Sequence, residues 1–189
     1  MKKNRIRTSL ALVACATSFA LVSPAAESPA GLVDFGKFTP PASGGQFVEV
    51  NIKGNLLAMA AKLVGREEPD VAELIRGVQG VRVNVVGLDD GNREEVKERL
   101  GRVRGELEAR GWERVVTAKS GTEDVAVYLK TRGEEAVEGI AVTVLEGERE
   151  AVFVNVVGDI RPDKLAELGE RLGIEPLKEA GFKTRKANN

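Results

Sequence analysis

Two strand-like stretches that end beside acids are where this sequence could do chemistry. VRVNVVG, residues 81–87, is followed by Asp89 and Asp90, and its near copy VFVNVVG, residues 152–158, begins 71 positions later and is followed by Asp159 and Asp163. Carboxylates gathered in this way suit general acid and base work, or hold a hard cation through oxygen. The outcome depends on the strands. Side by side and parallel, they would bring the four acids into one cleft; with the two glycine exits at opposite ends, there is no shared site.

Other routes to catalysis are closed by composition. The chain has no histidine and a single cysteine, Cys15. Ser-His-Asp and Cys-His nucleophile pairs, the usual zinc ligand sets and an imidazole proton shuttle are therefore excluded. GxSxG, SxxK, GxxxxGK and DxDxDG patterns are absent as well. No cofactor motif remains. Asp89-Asp90 and Glu67-Glu68-Pro69-Asp70 offer oxygen ligands for calcium, but the first lacks the loop spacing and the second reads as a helix entry.

A second group of residues suits binding. If the strands are split by alternation, one face carries Val81, Val83, Val85, Val125, Val127, Leu129, Ile140, Val142, Val144, Val152, Val154 and Val156. That wholly aliphatic face is the expected core. The other presents Arg82, Asn84, Tyr128, Lys130, Thr143, Phe153 and Asn155, a platform of two flat rings among hydrogen-bonding groups that would take a protein, peptide or glycan partner. The alternative for these seven residues is a solvated sheet back, with each Asn bonded to a neighbouring turn.

The elements that must position these residues are legible from periodicity. FVEVNI, residues 47–52, alternates as a strand, and residues 56–64 form an apolar helix candidate. A second short helix follows, with Asp70 and Glu73 spaced as a capping box. The longest helix covers about residues 93–110, with Asn92 as its cap, Glu95 reciprocating, and Val96, Leu100, Val103 and Leu107 as its core stripe. Gly111-Trp112 ends it. RVVTAK, DVAVYLK, GIAVTVLE and AVFVNVVG then follow with short polar turns, an antiparallel meander. Pro162 opens a last helix with Leu165, Leu168 and Leu172, and Gly181-Phe182 echoes Gly111-Trp112. The repeated strand, turn and helix reads either as a duplication or as local convergence on one turn geometry. The expected fold is α+β, a two-layer sandwich of a mostly antiparallel sheet with helices packed on one face.

This run of an apolar helix pair, a VRVNVVG strand, a charged helix ending in Gly-Trp, a strand meander and a closing AVFVNVVGDIRPDKLAEL resembles the bacterial exported family known as domain of unknown function 4252. The resemblance spans about residues 47–172. It implies an envelope protein, supplies no catalytic residues, and adds weight to a lipoprotein form.

The N-terminus reads as an address. MKKNRIR precedes an apolar run of about 13 residues, shorter than the roughly 20 that span a bilayer. Ser23-Pro24-Ala25 fits signal peptidase cleavage before Ala26, while Leu12-Val13-Ala14-Cys15 fits a lipobox with Cys15 lipidated. Either route exports the protein to the periplasm, the exterior or a membrane anchor, with no transmembrane helix left after cleavage. The leader takes four of the 28 basic residues and none of the 29 acidic, so the remainder carries 24 basic against 29 acidic, about −5. Nucleic acid is thereby a poor partner. The expected organisation is a signal peptide at 1–25, a flexible Pro/Gly/Ser tether at 26–46, one α+β domain at 47–182 and a tail at 183–189, whose Lys183, Arg185 and Lys186 are read as solvated.

Overall fold

A computed structural model describes residues 28–161. The leader, Cys15, the helix expected after Pro162 with its Asp163, and the basic tail lie outside the described residues. Nine elements follow in chain order, with strands β1 Phe47–Lys53, β2 Val78–Gly87, β3 Glu113–Ser120, β4 Glu123–Arg132, β5 Ala136–Glu146 and β6 Glu150–Ile160, and helices α1 Gly54–Val64, α2 Pro69–Gly77 and α3 Arg93–Ala109. None of these helices is long and apolar enough to cross a membrane.

The helix ends depart from simple cap rules. Helix α2 begins on Pro69, whose fixed φ suits the first turn, so the cap position falls on Glu68 and Asp70 sits inside the helix. Asn92 makes no side-chain cap to α3. Instead its Oδ1 accepts from the Asp89 N–H at 2.9 Å and its Nδ2 donates to the Gly87 carbonyl at 2.9 Å, which ties the exit of β2 to the helix start. The far end of α3 closes as a Schellman motif. Gly111 takes φ +74°, its N–H bonds Glu108 O, and the Trp112 N–H reaches Leu107 O, each at 3.0 Å.

The six strands form one antiparallel sheet in the order β1-β2-β6-β5-β4-β3. Strands β3 to β6 are the expected meander, with Gly121, Gly133 and Gly147 in the left-handed region at its turns. The two VNVVG segments are neighbours at the sheet centre and run in opposite directions, with Val83 facing Val154 and Val85 facing Val152.

The sheet faces are the reverse of the sequence expectation. Helix α3 lays Val96, Leu100, Val103 and Leu107 on the face that carries Ala126, Tyr128, Ala141, Ala151 and Phe153, and all of these are buried. We call this face inner. Small residues are the physical reason: alanines at the contact let the helix approach, and the two large rings fill the space on either side. The aliphatic outer face stays only partly buried, Leu129 excepted. Helix α2 reaches one end of it, where Leu74 packs with Leu129, Val137, Ile140, Val156 and Ile160.

The segment expected as a flexible tether is instead part of the core from residue 31 onward. Residues 31–41 form a strap over the inner face, with Val33 and Phe35 buried at 4% exposure and Phe38 and Phe35 against the Phe153 ring at 4.9 and 5.5 Å. Glycine makes the close approach feasible: a Cβ on Gly31 would run into the Glu138 carbonyl, and one on Gly139 would lie 2.5 Å from the Trp112 ring. Arg99 holds the strap from α3, donating to Lys37 O at 2.5 Å and lying 4.6 Å over the Phe38 ring.

Candidate functional site

Of the four acids at the strand exits, Asp163 lies outside the described residues and the other three do not converge. Gly87 lies opposite Glu150 and Gly158 opposite Val78, so the two exits are at opposite ends of antiparallel neighbours, about 26 Å apart at 3.3 Å per residue. Each acid is occupied locally. Asp89 Oδ1 accepts from the N–H groups of Gly91 and Asn92 at 2.9 and 3.0 Å, and Oδ2 from the Ser43 N–H at 3.1 Å. The Ser43 bond in particular holds the Asp89 carboxyl below the ordinary carboxylate range. Asp90 pairs with Arg93 at 3.0 Å, and Asp159 with Arg132 at 2.9 Å. Among the described residues no three acids gather closely enough to hold a metal ion.

The seven-residue platform is dispersed. Tyr128, Thr143, Phe153 and Asn155 have no exposed surface. Asn155 clamps the strap: its Oδ1 accepts from the Val33 N–H at 3.0 Å, while its Nδ2 donates to Gly31 O at 3.0 Å and Ile140 O at 3.1 Å. Thr143 Oγ1 accepts from Arg104, which also pairs with Asp124, each at 2.9 Å. That bond to Arg104 is the main reason the Asp124 carboxyl lies below its ordinary range. Burial pushes the Tyr128 hydroxyl up, and its O–H donates to Glu108 at 3.3 Å, beside the Glu108–Arg114 pair. Lys130 Nζ donates to Arg110 O at 2.8 Å at the end of α3. Only Arg82 and Asn84 face an opening, a shallow polar hollow of about 170 Å³ shared with Asp34, Glu49 and Asn51. The platform is thus largely interior, and its wholly buried polar side chains, Tyr128, Thr143 and Asn155, each have a partner.

The feature that sequence reasoning assigned to the interior is the one that the described residues leave only partly covered. Val50, Val83, Val154, Val142, Val127 and Val116 face one another across all six strands, a single row of valines. Val48, Val85, Val152, Val144, Val125 and Ala118 form the next row, and Ile52, Val81, Val156, Ile140 and Leu129 a third. With strands about 4.8 Å apart and rows about 6.6 Å apart, the three rows cover roughly 24 by 13 Å, with Glu113 of β3 facing Leu129 at the end of the third row. Helix α1 carries exposed apolar side chains of its own. Its buried contact is Ala61, whereas Leu56, Met59 and Leu63 point outward at 52%, 60% and 79% exposure.

Signals for the true arrangement were present in the chain. Ala126, Ala141, Ala151 and Gly139 recur on one strand face, and Val33 and Phe35 alternate within the Pro/Gly-rich segment. With this geometry in place, comparison with known proteins adds one match: residues 44–168 fit the model of a family described as a domain of unknown function (DUF4252). No curated protein and no solved structure matches the chain.

Proposed function

Starting from a chain that belongs to the DUF4252 family, we propose that it is an exported, non-catalytic interaction domain of the cell envelope, whose contact surface is the outer sheet face together with the exposed stripe of α1. One observation carries the reading: rows of aliphatic side chains run across the outer face of the sheet, two of them over all six strands and a third over five, a contiguous apolar area of about 300 Å². The surface offers neither the aromatic rings nor the hydrogen-bonding groups that a glycan requires. It fits the apolar side chains of a polypeptide, above all an amphipathic helix laid across the strands. Carboxylate catalysis finds no support in exits about 26 Å apart, with Asp89, Asp90 and Asp159 each tied to its own turn or arginine.

Export rests on the leader and its two processing patterns, at Ala26 and at Cys15. Intact-mass measurement of the protein recovered from its host separates the two: a chain starting at Ala26 without lipid is expected, and a diacylated Cys15 would replace the soluble form by an anchored one. For binding, the test is the double change Met59→Glu with Leu63→Glu. Both side chains are more than half exposed, so stability should stay within about 0.5 kcal/mol of the parent, while co-fractionation with a larger envelope complex is lost. Retention of that complex at full yield would refute the part played by α1.

A further inference from the structure

The outer face needs a cover, and the chain leaves the sheet at its edge. Ile160, the last residue of β6, packs on the outer side with Leu74 of α2. Arg161 pairs with Glu73 of the same helix at 3.5 Å. The chain therefore departs at the α2 end of the outer face, beside the row of Ile52, Val81, Val156, Ile140 and Leu129, from where a short turn would carry it back over the valine rows. Twenty-eight residues follow. Their pattern places Leu165, Leu168 and Leu172 on one side of a helix, with Lys164, Glu167, Glu170 and Arg171 between them. The helical pattern runs to Leu172, where Gly173 and then Pro176 stop it; at 1.5 Å per residue the 11 positions from 162 to 172 would span about 16 Å, and β6 from Ile160 back to Val152 is about 26 Å long.

We propose that the outer sheet face is a docking surface for the chain's own C-terminal segment, residues 162–182, which lays Leu165, Leu168 and Leu172 across the valine rows and makes the domain three layers deep. The proposal rests on the reading of the outer face as a contact surface and names its occupant. It leaves the stripe of α1 as the part of that surface turned to other molecules. The segment supplies what the face lacks: an apolar stripe, joined directly to the edge of the face, so that docking is intramolecular and needs no second molecule.

The test uses the full chain with a small diazirine amino acid in place of Val142, in the central row, and in a second version in place of Val85, nearer the far end. After irradiation of purified protein, adducts are mapped by mass spectrometry. Adducts of monomer mass joining either position to residues 162–182 are expected. The change Leu168→Lys in the same chains should lower their yield about tenfold and raise binding of a hydrophobic dye severalfold. An adduct of dimer mass between two outer faces would overturn the occupant while leaving the face a contact surface. Capture of water alone at both positions would overturn the occupant and the contact surface together. An adduct yield unaffected by Leu168→Lys would remove the leucine stripe from the account.

Discussion

Replacing Asn155 by leucine should separate the two VNVVG copies, because Asn155 and its counterpart Asn84 occupy the same position in the motif and do different things. The change keeps the branched shape and heavy-atom count of the side chain and removes three hydrogen bonds at once, those with Val33 N–H, Gly31 O and Ile140 O, in a region with no exposed surface at position 155. A buried polar group left unpaired costs about 1–3 kcal/mol. Two of the three lie on the strap, which can escape the penalty by lifting into water. Lifting it exposes Val33 and Phe35, at about 1.5–3 kcal/mol each. Both routes therefore lead to a loss of about 3–6 kcal/mol, a large share of a typical domain's 5–15. Asn84 is 9% exposed, opens on the polar hollow and makes no hydrogen bond to another described residue. Asn84→Leu should cost about 1 kcal/mol or less. Urea unfolding followed through Trp112, the single tryptophan and 4% exposed beside Gly139, reads both variants. The expected result is a midpoint lowered by about 2 M for Asn155→Leu and by less than about 0.5 M for Asn84→Leu. Equal shifts would refute the clamp.

Phe153→Ala and Tyr128→Ala should each cost about 3–5 kcal/mol, since both rings are wholly buried under α3 and the strap; an unfolding temperature within 2 °C of the parent, measured by circular dichroism, would return those rings to the surface. Stability should also be bounded on both sides in pH. The carboxyls of Asp124, Glu108 and Asp89 are depressed, chiefly by Arg104, Arg114 and the Ser43 N–H, so their contribution is present above the ordinary carboxylate value of about 4 and is lost as pH falls through it. Tyr128 is raised by burial, so its contribution is present below the ordinary value of about 10 and is lost above it. Chemical denaturation from pH 2 to 11 should show a plateau between those limits; stability that rises below pH 4 would contradict the Arg104–Asp124 and Glu108–Arg114 pairs.

Much of the architecture was legible in the residues, and the reason is periodicity. Val96, Leu100, Val103 and Leu107 repeat at helical spacing and are the buried stripe of α3. The four strand segments after Trp112 alternate and turn at glycines, and they pair in sequence order. Alternation, however, tells only that two faces exist. Here one face is aliphatic and the other mixes alanine, aromatic and amide side chains, and the greasier face is not the one α3 covers. Packing decides between them through the size of the residues at the contact, and a buried amide is tolerated because the strap offers backbone groups to match it. The candidate platform was misplaced for the same reason. Asn155 and Tyr128 look free on a strand diagram, and their partners come from Gly31, Val33 and Glu108, residues far away along the chain. The strap was missed because Pro, Gly and Ser announce an irregular backbone, and irregular backbone can still pack.

The clamp on the strap also sets an order of events during synthesis. Val33 and Asn155 are 122 positions apart, and Gly31 and Asn155 are 124 apart. The strands β3 to β6 are joined by turns of a few residues and can zip together locally, whereas the pairing of β2 with β6 must close a loop of about 70 residues, a slower step. The N-terminal strap is thus made early and anchored late: its hydrogen bonds wait until β6 has been synthesised, paired with β5 and brought beside β2. Until then Phe35, Phe38 and Phe153 have no ring to rest against, and a nascent chain stopped short of residue 155 carries its first aromatic cluster unsheltered.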